Sequence, residues 1–216
     1  FFIRDFTGDG KNDVMALLTQ GEEEIILFVN RGDFEFEPRR LLRFPPVYGC
    51  SYLEVADING DGYDDIIVSN GDNADYSQIL KPYHGIRIFL NDSKNNFTES
   101  WFYPMHGAFQ VAARDFDGDH DVDLAAISFF PDFDQNPGQS FLYFTNDNGT
   151  FIPSATPLAR AGKWITMEVA DIDNDDDDDI LLGALDFTGR VPDDLVREWA
   201  RDQTAILVLR NTLSKK

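Results

Sequence analysis

Residues 115–128 read DFDGDHDVDLAAIS. Five carboxylates occupy the odd positions of a nine-residue loop that turns apolar without a break, four of them (Asp115, Asp117, Asp119 and Asp123) at positions one, three, five and nine. The chain around them already carries a formal net charge of -21. Like charges this close repel one another. A bound cation explains the crowding better than a solvated turn does, because the stretch recurs: DFTGDGKND begins at Asp5, DINGDGYDD at Asp57 and DIDNDDDDD at Asp171. The four starts lie 52, 58 and 56 positions apart. A period of 50-odd residues points to a propeller or a solenoid.

More of each unit recurs than the loop. An apolar strand precedes it (SYLEVA, FQVAAR, ITMEVA) and a second follows it (VMALL, IIVS, LAAIS, ILLG). A third strand ends in Asn30, Asn91, Asn146 or Asn211, and after a Gly/Asn/Asp turn a fourth opens on Phe: FEFEP, FTES, FIPS. Four short strands joined by tight turns make an antiparallel meander, whose edges and faces are covered when copies stack radially. The expected fold is all-β, a β-propeller of four-stranded antiparallel blades, with blades at roughly 1–46, 47–104, 105–158 and 159–216.

The loop follows D-x-[DNT]-x-D-x-x-x-D. Oxygen-bearing side chains fall at positions one, three, five and nine: Asp5, Thr7, Asp9 and Asp13; Asp57, Asn59, Asp61 and Asp65; Asp115, Asp117, Asp119 and Asp123; Asp171, Asp173, Asp175 and Asp179. Position seven, Lys11, Tyr63, Asp121 or Asp177, would add a backbone carbonyl. Cations of calcium size take six to eight oxygens at roughly 2.3 to 2.6 Å, which such a loop can supply. Gly10 and Gly62 at position six permit a positive φ, while His120 and Asp176 stand there in the other two loops. An EF-hand is the rival, but it needs a bidentate Glu at position twelve and helical flanks. These loops offer Ala16, Val68, Ala126 and Leu182, between strands.

ADINGDGYDDIIV and RDFDGDHDVDLAAI closely resemble the calcium loops of FG-GAP and VCBS-type repeats, the units of integrin α-subunit propellers and of many bacterial surface proteins. DFTGDGKNDVMAL departs from that pattern at Thr7, and DIDNDDDDDILL at Asn174 and Asp176. The resemblance implies a calcium-stabilised propeller, usually of seven blades, with up to four structural ions here. It implies no single activity. The chain opens inside the first strand of its first unit and stops after the third strand of its last. The expectation is therefore part of a larger ring, with N-terminal blades or a fused domain upstream.

Four divalent ions would bring the formal charge from -21 to -13. Ligand charge ranks the loops at Asp115 and Asp171 first and the one at Asp5 last. Millimolar calcium outside cells makes the expected location extracellular, cell-surface or periplasmic. The acidic surface repels phosphates and argues against nucleic acid, and no segment has the ~20 apolar residues of a membrane span. One cysteine, Cys50, leaves no internal disulfide. Three sequons begin at Asn91, Asn96 and Asn148, where asparagine is also a favoured turn residue.

Length variation falls on the face opposite the loops. The two-to-three crossings there grow from TQGEEE to NGDNADYSQILKPYHG, FFPDFDQNPGQS and DFTGRVPDDLVREWARDQ, the last with a short helix expected near Pro192. These crossings and the blade-to-blade turns gather aromatic and cationic residues, among them Tyr76, Tyr83, His84, His106, Lys163, Trp164 and Arg190. Tyr83, His84, His106, Lys163 and Trp164 are the candidate ligand-binding residues, expected to converge on one concave surface. A glycan or surface-protein ligand is the favoured occupant. The alternative is a polysaccharide lyase, with a histidine as base beside a cation. No Ser-His-Asp order, phosphate loop or Cys/His cluster accompanies these residues, so binding is favoured over catalysis and no catalytic residue is assigned.

Overall fold

The computed structural model of the chain describes residues 1–72, 79–186, 189 and 191–212. Its strands fall into four antiparallel sheets, each a meander in sequence order. The first holds β1 (Phe2–Arg4), β2 (Asp13–Leu18), β3 (Glu24–Gly32) and β4 (Glu35–Arg43). The second holds β5 (Cys50–Ala56), β6 (Asp65–Asn70), β7 (Gly85–Asn91) and β8 (Phe97–Pro104). The third holds β9 (Ala108–Arg114), β10 (Asp123–Ser128), β11 (Phe141–Asp147) and β12 (Thr150–Ser154). The fourth has three strands, β13 (Trp164–Ala170), β14 (Asp179–Ala184) and β15 (Ile206–Leu209), with helix α1 (Asp193–Asp202) inserted between the last two. Pro192 precedes that helix, and Asp193 and Asp194 lie in its first turn, where carboxylates favour the positive end of the dipole.

The second strands explain why the sheets stack. β6 and β10 are buried at every residue. Alternate side chains of a strand point to opposite faces, and here both faces are covered. Ile67 packs toward the third sheet with Leu124, Ala126 and Phe144. Its neighbours Ile66 and Val68 pack toward the first sheet with Met15, Ile25 and Leu27. On β10 the odd set, Ala125 and Ile127, meets Trp164, Met167 and Leu182 of the fourth sheet. This double burial is why IIVS and LAAIS read as continuous apolar runs instead of alternating ones. The outer strands differ: β4 and β12 are mostly exposed. Among the described residues no hydrophobic cluster joins the first sheet to the fourth, so the blades form a partial ring with an open face at each end.

Polar ties supplement the apolar seams. The Gln110 side chain both donates to Met167 O (2.7 Å) and accepts from Met167 N (2.9 Å), joining the innermost strands of the third and fourth sheets. Ser51 and Ser69 donate to Ala108 O and Phe109 O, joining the second and third. At the rim, Arg4 pairs with Asp64 of the next blade and Arg114 with Asp178 of the next, each arginine standing just before its own acidic loop. Exposed pairs of this kind contribute little, about 0 to 1 kcal/mol.

The seams therefore carry the stability. Phe144 is fully buried against Tyr103 (4.8 Å) and Trp101 (5.7 Å) of the neighbouring blade. Phe144→Ala is expected to cost about 3 to 5 kcal/mol in denaturant unfolding, whereas Ile206→Ala on the open face of the fourth sheet should change stability by less than about 1 kcal/mol.

Candidate metal centres and the opposite face

The four acidic loops share one hydrogen-bond pattern. Position one folds the loop around itself: Asp5 accepts from the amides of Gly8, Asp9 and Gly10, and Asp171 from those of Asn174, Asp175 and Asp176. Asp57 takes Asp61 and Gly62, and Asp115 takes Gly118 and His120. Position five accepts from the amide of position seven in every loop, from Asp9–Lys11 to Asp175–Asp177. Position six is left-handed throughout, at φ 83°, 88°, 76° and 67° for Gly10, Gly62, His120 and Asp176. Position four is left-handed too, at Gly8, Gly60, Gly118 and Asn174. The sequence carried that signal as three glycines and an asparagine, the residues that tolerate this region.

Position nine does something the sequence reading missed. Asp13, Asp65, Asp123 and Asp179 are buried, at 0, 0, 0 and 1% exposure. One oxygen of each accepts from the start of its own loop, at Phe6 and Thr7, Ile58, Phe116 or Ile172. The other accepts from the amide of Asn30, Asn91, Asn146 or Asn211, where the third strand of the blade ends, at 2.8 Å in all four. Tyr143 adds its hydroxyl to Asp123 at 2.6 Å. The aspartate thus staples loop to strand three. The recurring Asn was visible in the sequence, but its link to the Asp spans 17 to 32 residues and needs the folded blade.

Positions one, three and five gather the carboxylates. In the third loop Asp115, Asp117 and Asp119, and in the fourth Asp171, Asp173 and Asp175, each present an oxygen within 4.8 Å of the others. Two oxygens bound at about 2.4 Å to one ion lie at most about 4.8 Å apart, so both sets fit a shared hard cation. Burial and the nearby Asp123 charge hold the Asp117 carboxyl above its ordinary range. The first two loops hold Thr7 and Asn59 at position three, and so have fewer carboxylates. Cationic side chains already seek these oxygens. Lys11 Nζ lies 3.0 Å from Asp9, whose carboxyl it holds below the usual range, and Arg210 pairs with Asp173 and Asp175.

On the opposite face the five candidate residues separate into two groups. Tyr83 stacks on Tyr48 (5.3 Å) and meets His84 edge-on (5.5 Å). His84 is fully buried, and its carbonyl accepts from Met105 N. Lys163 and Trp164 belong elsewhere, between the third and fourth sheets. Lys163 is buried with Nζ over the rings of Phe129 (4.5 Å) and Phe130 (4.8 Å) and donates to Gly189 O. Burial lowers its pKa to about 8. Trp164 is fully buried in the seam, its indole N–H donating to Ala159 O at 2.8 Å. The expectation of one concave surface is corrected for these side chains: His84, Lys163 and Trp164 lie in the packing, and only Tyr83 and His106 are partly exposed. Tyr76 and Arg190 lie outside the described residues. A cavity of about 460 Å³ does open on this side, lined by Trp199 and Val196 of α1 with Leu185, Asp186 and Lys163.

Sequence reasoning also missed Arg87, the charged residue inside GIRIFLN. Its guanidinium is buried between Tyr48 (4.6 Å) and Phe102 (4.1 Å) and donates to Asn70 Oδ1 and Tyr83 O. Nearby Cys50 is buried, and burial, reinforced by Glu23, pushes its thiol far above the ordinary range.

Residues 5–68 match the family model of the FG-GAP-like repeat. The matched stretch spans the first two acidic loops, and the other two loops reproduce the same internal bonding. Integrin alpha-PS3 of Drosophila melanogaster is 39% identical over 75 residues, covering 30% of this chain and 7% of that protein. Integrin alpha-PS5 of the same species is 34% identical over 96 residues, covering 38% of this chain and 10% of that protein. The chain therefore spans only a small part of the length of these curated relatives.

Two outcomes follow from the geometry. Asp123→Asn would turn an amide toward an N–H that now finds an oxygen, and should cost about 1 to 3 kcal/mol in calcium-free buffer. Asp117→Asn should cost nothing there, since it removes like charge; equal losses in thermal melts would refute the staple. His84 has a pKa lowered to about 4, by burial first and then by the charges of Lys81, His106 and Arg87. The fold holds it neutral, so its contribution is complete above the unfolded value of about 6.5 and is lost as pH falls toward 4. Stability should drop by up to about 2 kcal/mol between pH 6.5 and 5, and a His84→Gln protein should lack that part of the slope.

Proposed function

We propose that the chain is a calcium-stabilised, extracytoplasmic part of a β-propeller that serves as a binding and recognition module for a protein or glycan ligand. The observation that supports it best is the fourfold loop: the same bonds and left-handed φ values recur on one edge of every blade, and in the third and fourth loops three carboxylates present facing oxygens. A single acidic turn could be a solvated surface, whereas four in register describe a designed receptacle. Calcium suits the donor set better than magnesium, which demands a tight octahedron and sheds water reluctantly. Positions one, three and five would supply side-chain oxygens, and Lys11, Tyr63, Asp121 and Asp177 their carbonyls. An ionised carboxylate has about four lone-pair sites. The staples of Asp13, Asp65, Asp123 and Asp179 occupy two or three, leaving capacity for the ion. The ions would be structural, because they sit where the loop binds itself and its own strands.

The likeness to two integrin alpha chains supports a surface location and a recognition role. Among the described residues no helix is long and apolar enough to cross a membrane. Ligand binding fits the insert face, where crossings differ from blade to blade and where Tyr83, His106 and the α1 cavity are open to solvent.

Chelator should lower the melting temperature by at least about 5 °C, because a ligand at a hundredfold excess over its dissociation constant stabilises by about 2.7 kcal/mol. Calcium should restore it better than magnesium. An unchanged melt in chelator would defeat the metal reading. For recognition, the chain in calcium is tested against arrayed glycans and extracellular matrix proteins. Tyr83→Ala with His106→Ala should abolish capture while leaving the calcium-dependent melt intact; capture unaffected by that pair would move the ligand off this face.

A further inference from the structure

The fourth loop is the most acidic of the four, with Asp171, Asp173, Asp175, Asp176, Asp177, Asp178 and Asp179 in nine residues. By carboxylates at positions one, three, five and nine it ties with the third. One feature separates them. Arg210 places Nε on Asp173 and Nη2 3.6 Å from Asp175, so a single guanidinium holds two of the three clustered carboxylates. Its backbone is fixed there. Arg210 directly precedes Asn211, whose amide is held by the buried Asp179 and whose side chain donates to Phe116 O of the preceding blade at 2.7 Å. The residues in the same register of the other blades are Val29, Leu90 and Thr145, none of which carries charge. Lys11, in the first loop, reaches one carboxylate only.

We infer that Arg210 is a built-in competitor for the cation of the fourth loop, making this site weaker for calcium than the third and less dependent on calcium for its fold. The inference rests on the calcium reading above. The physical chemistry is direct. A divalent ion entering between Asp173 and Asp175 must displace the guanidinium or bind beside its charge, and either lowers affinity. Without the ion, the same guanidinium offsets the repulsion that would otherwise open the loop. Arg210 is 62% exposed, so water screens the competition and its size is modest, about three- to tenfold in the dissociation constant. The sequence ranking by ligand charge would thus be overturned at one site. An arginine 31 residues beyond position nine does not appear in a count of loop carboxylates.

Isothermal titration of the whole chain with calcium tests this, using wild type, Arg210→Leu (the residue of the second blade), Arg210→Lys and Asp173→Asn. Asp173→Asn assigns the fourth site by removing or weakening one binding step. Arg210→Leu should tighten that same step about three- to tenfold, leave the others unchanged, and lower the melting temperature in chelator. Arg210→Lys should stay near wild type, which separates charge from shape. If Asp173→Asn weakens a step that Arg210→Leu leaves unchanged or weakens further, the competitor is refuted while the calcium site stands. If Asp173→Asn alters no step, the calcium reading of this loop fails and the competitor falls with it.

Discussion

A buried carboxylate holding two strands to one loop is the constraint on which each blade depends. Placing a charge where exposure is near zero is costly unless donors replace the lost water. Asp13, Asp65, Asp123 and Asp179 each receive two or three, all but one of them backbone amides. Removing a partner would leave an uncompensated charge, so the geometry is narrow. The loop must start where its amides can reach, and the third strand must end at the same height. That fixes the register of strands one, two and three together, before any side chain packs against a neighbouring blade.

From the staple the remaining order follows outward. With register fixed, the second strand sends alternate residues to both faces, and the apolar seams close on either side. The Asn side chains that follow each stapled amide extend the link. Asn30, Asn91 and Asn146 donate to the position-eight carbonyl of their own loops, and Asn211 donates to the preceding blade. Asn95 repeats that crossing from the second blade to Phe6 O of the first. The first and second blades, and the third and fourth, are thus tied at the loop edge by asparagine hydrogen bonds and in the middle by hydrocarbon. The exposed arginine pairs at the rim add direction more than energy.

Much of this was legible in the sequence because it is local. Turn residues, the strand run and the fourfold period lie within nine to 60 residues, and the expected helix falls where Pro192 and the two aspartates place it. What was hidden depends on the neighbouring blade. Trp164 and Lys163 read as candidate binders because GKW opens a strand on the insert face. In the fold that strand begins inside the seam, so Trp164 meets Ala159 O and Lys163 meets two phenylalanines from the preceding blade. The same burial takes His84 from the surface. Arg87 shows the converse: a lone charge in an apolar strand is a sequence anomaly, but only its placement against the rings of Tyr48 and Phe102 in the fold explains it.

The division of labour between the two edges has a physical origin. On the loop edge the aspartate staple, the left-handed turns and the clustered oxygens leave no freedom in length, because an added residue would separate position one from the amides it binds. The opposite edge is constrained only by the strand ends that it joins. There TQGEEE, a segment ending in KPYHG and one containing α1 all satisfy the same sheet geometry. Variation therefore accumulates on the edge where the fold permits it. A propeller that recognises different partners can change them there without disturbing the carboxylates that staple each blade.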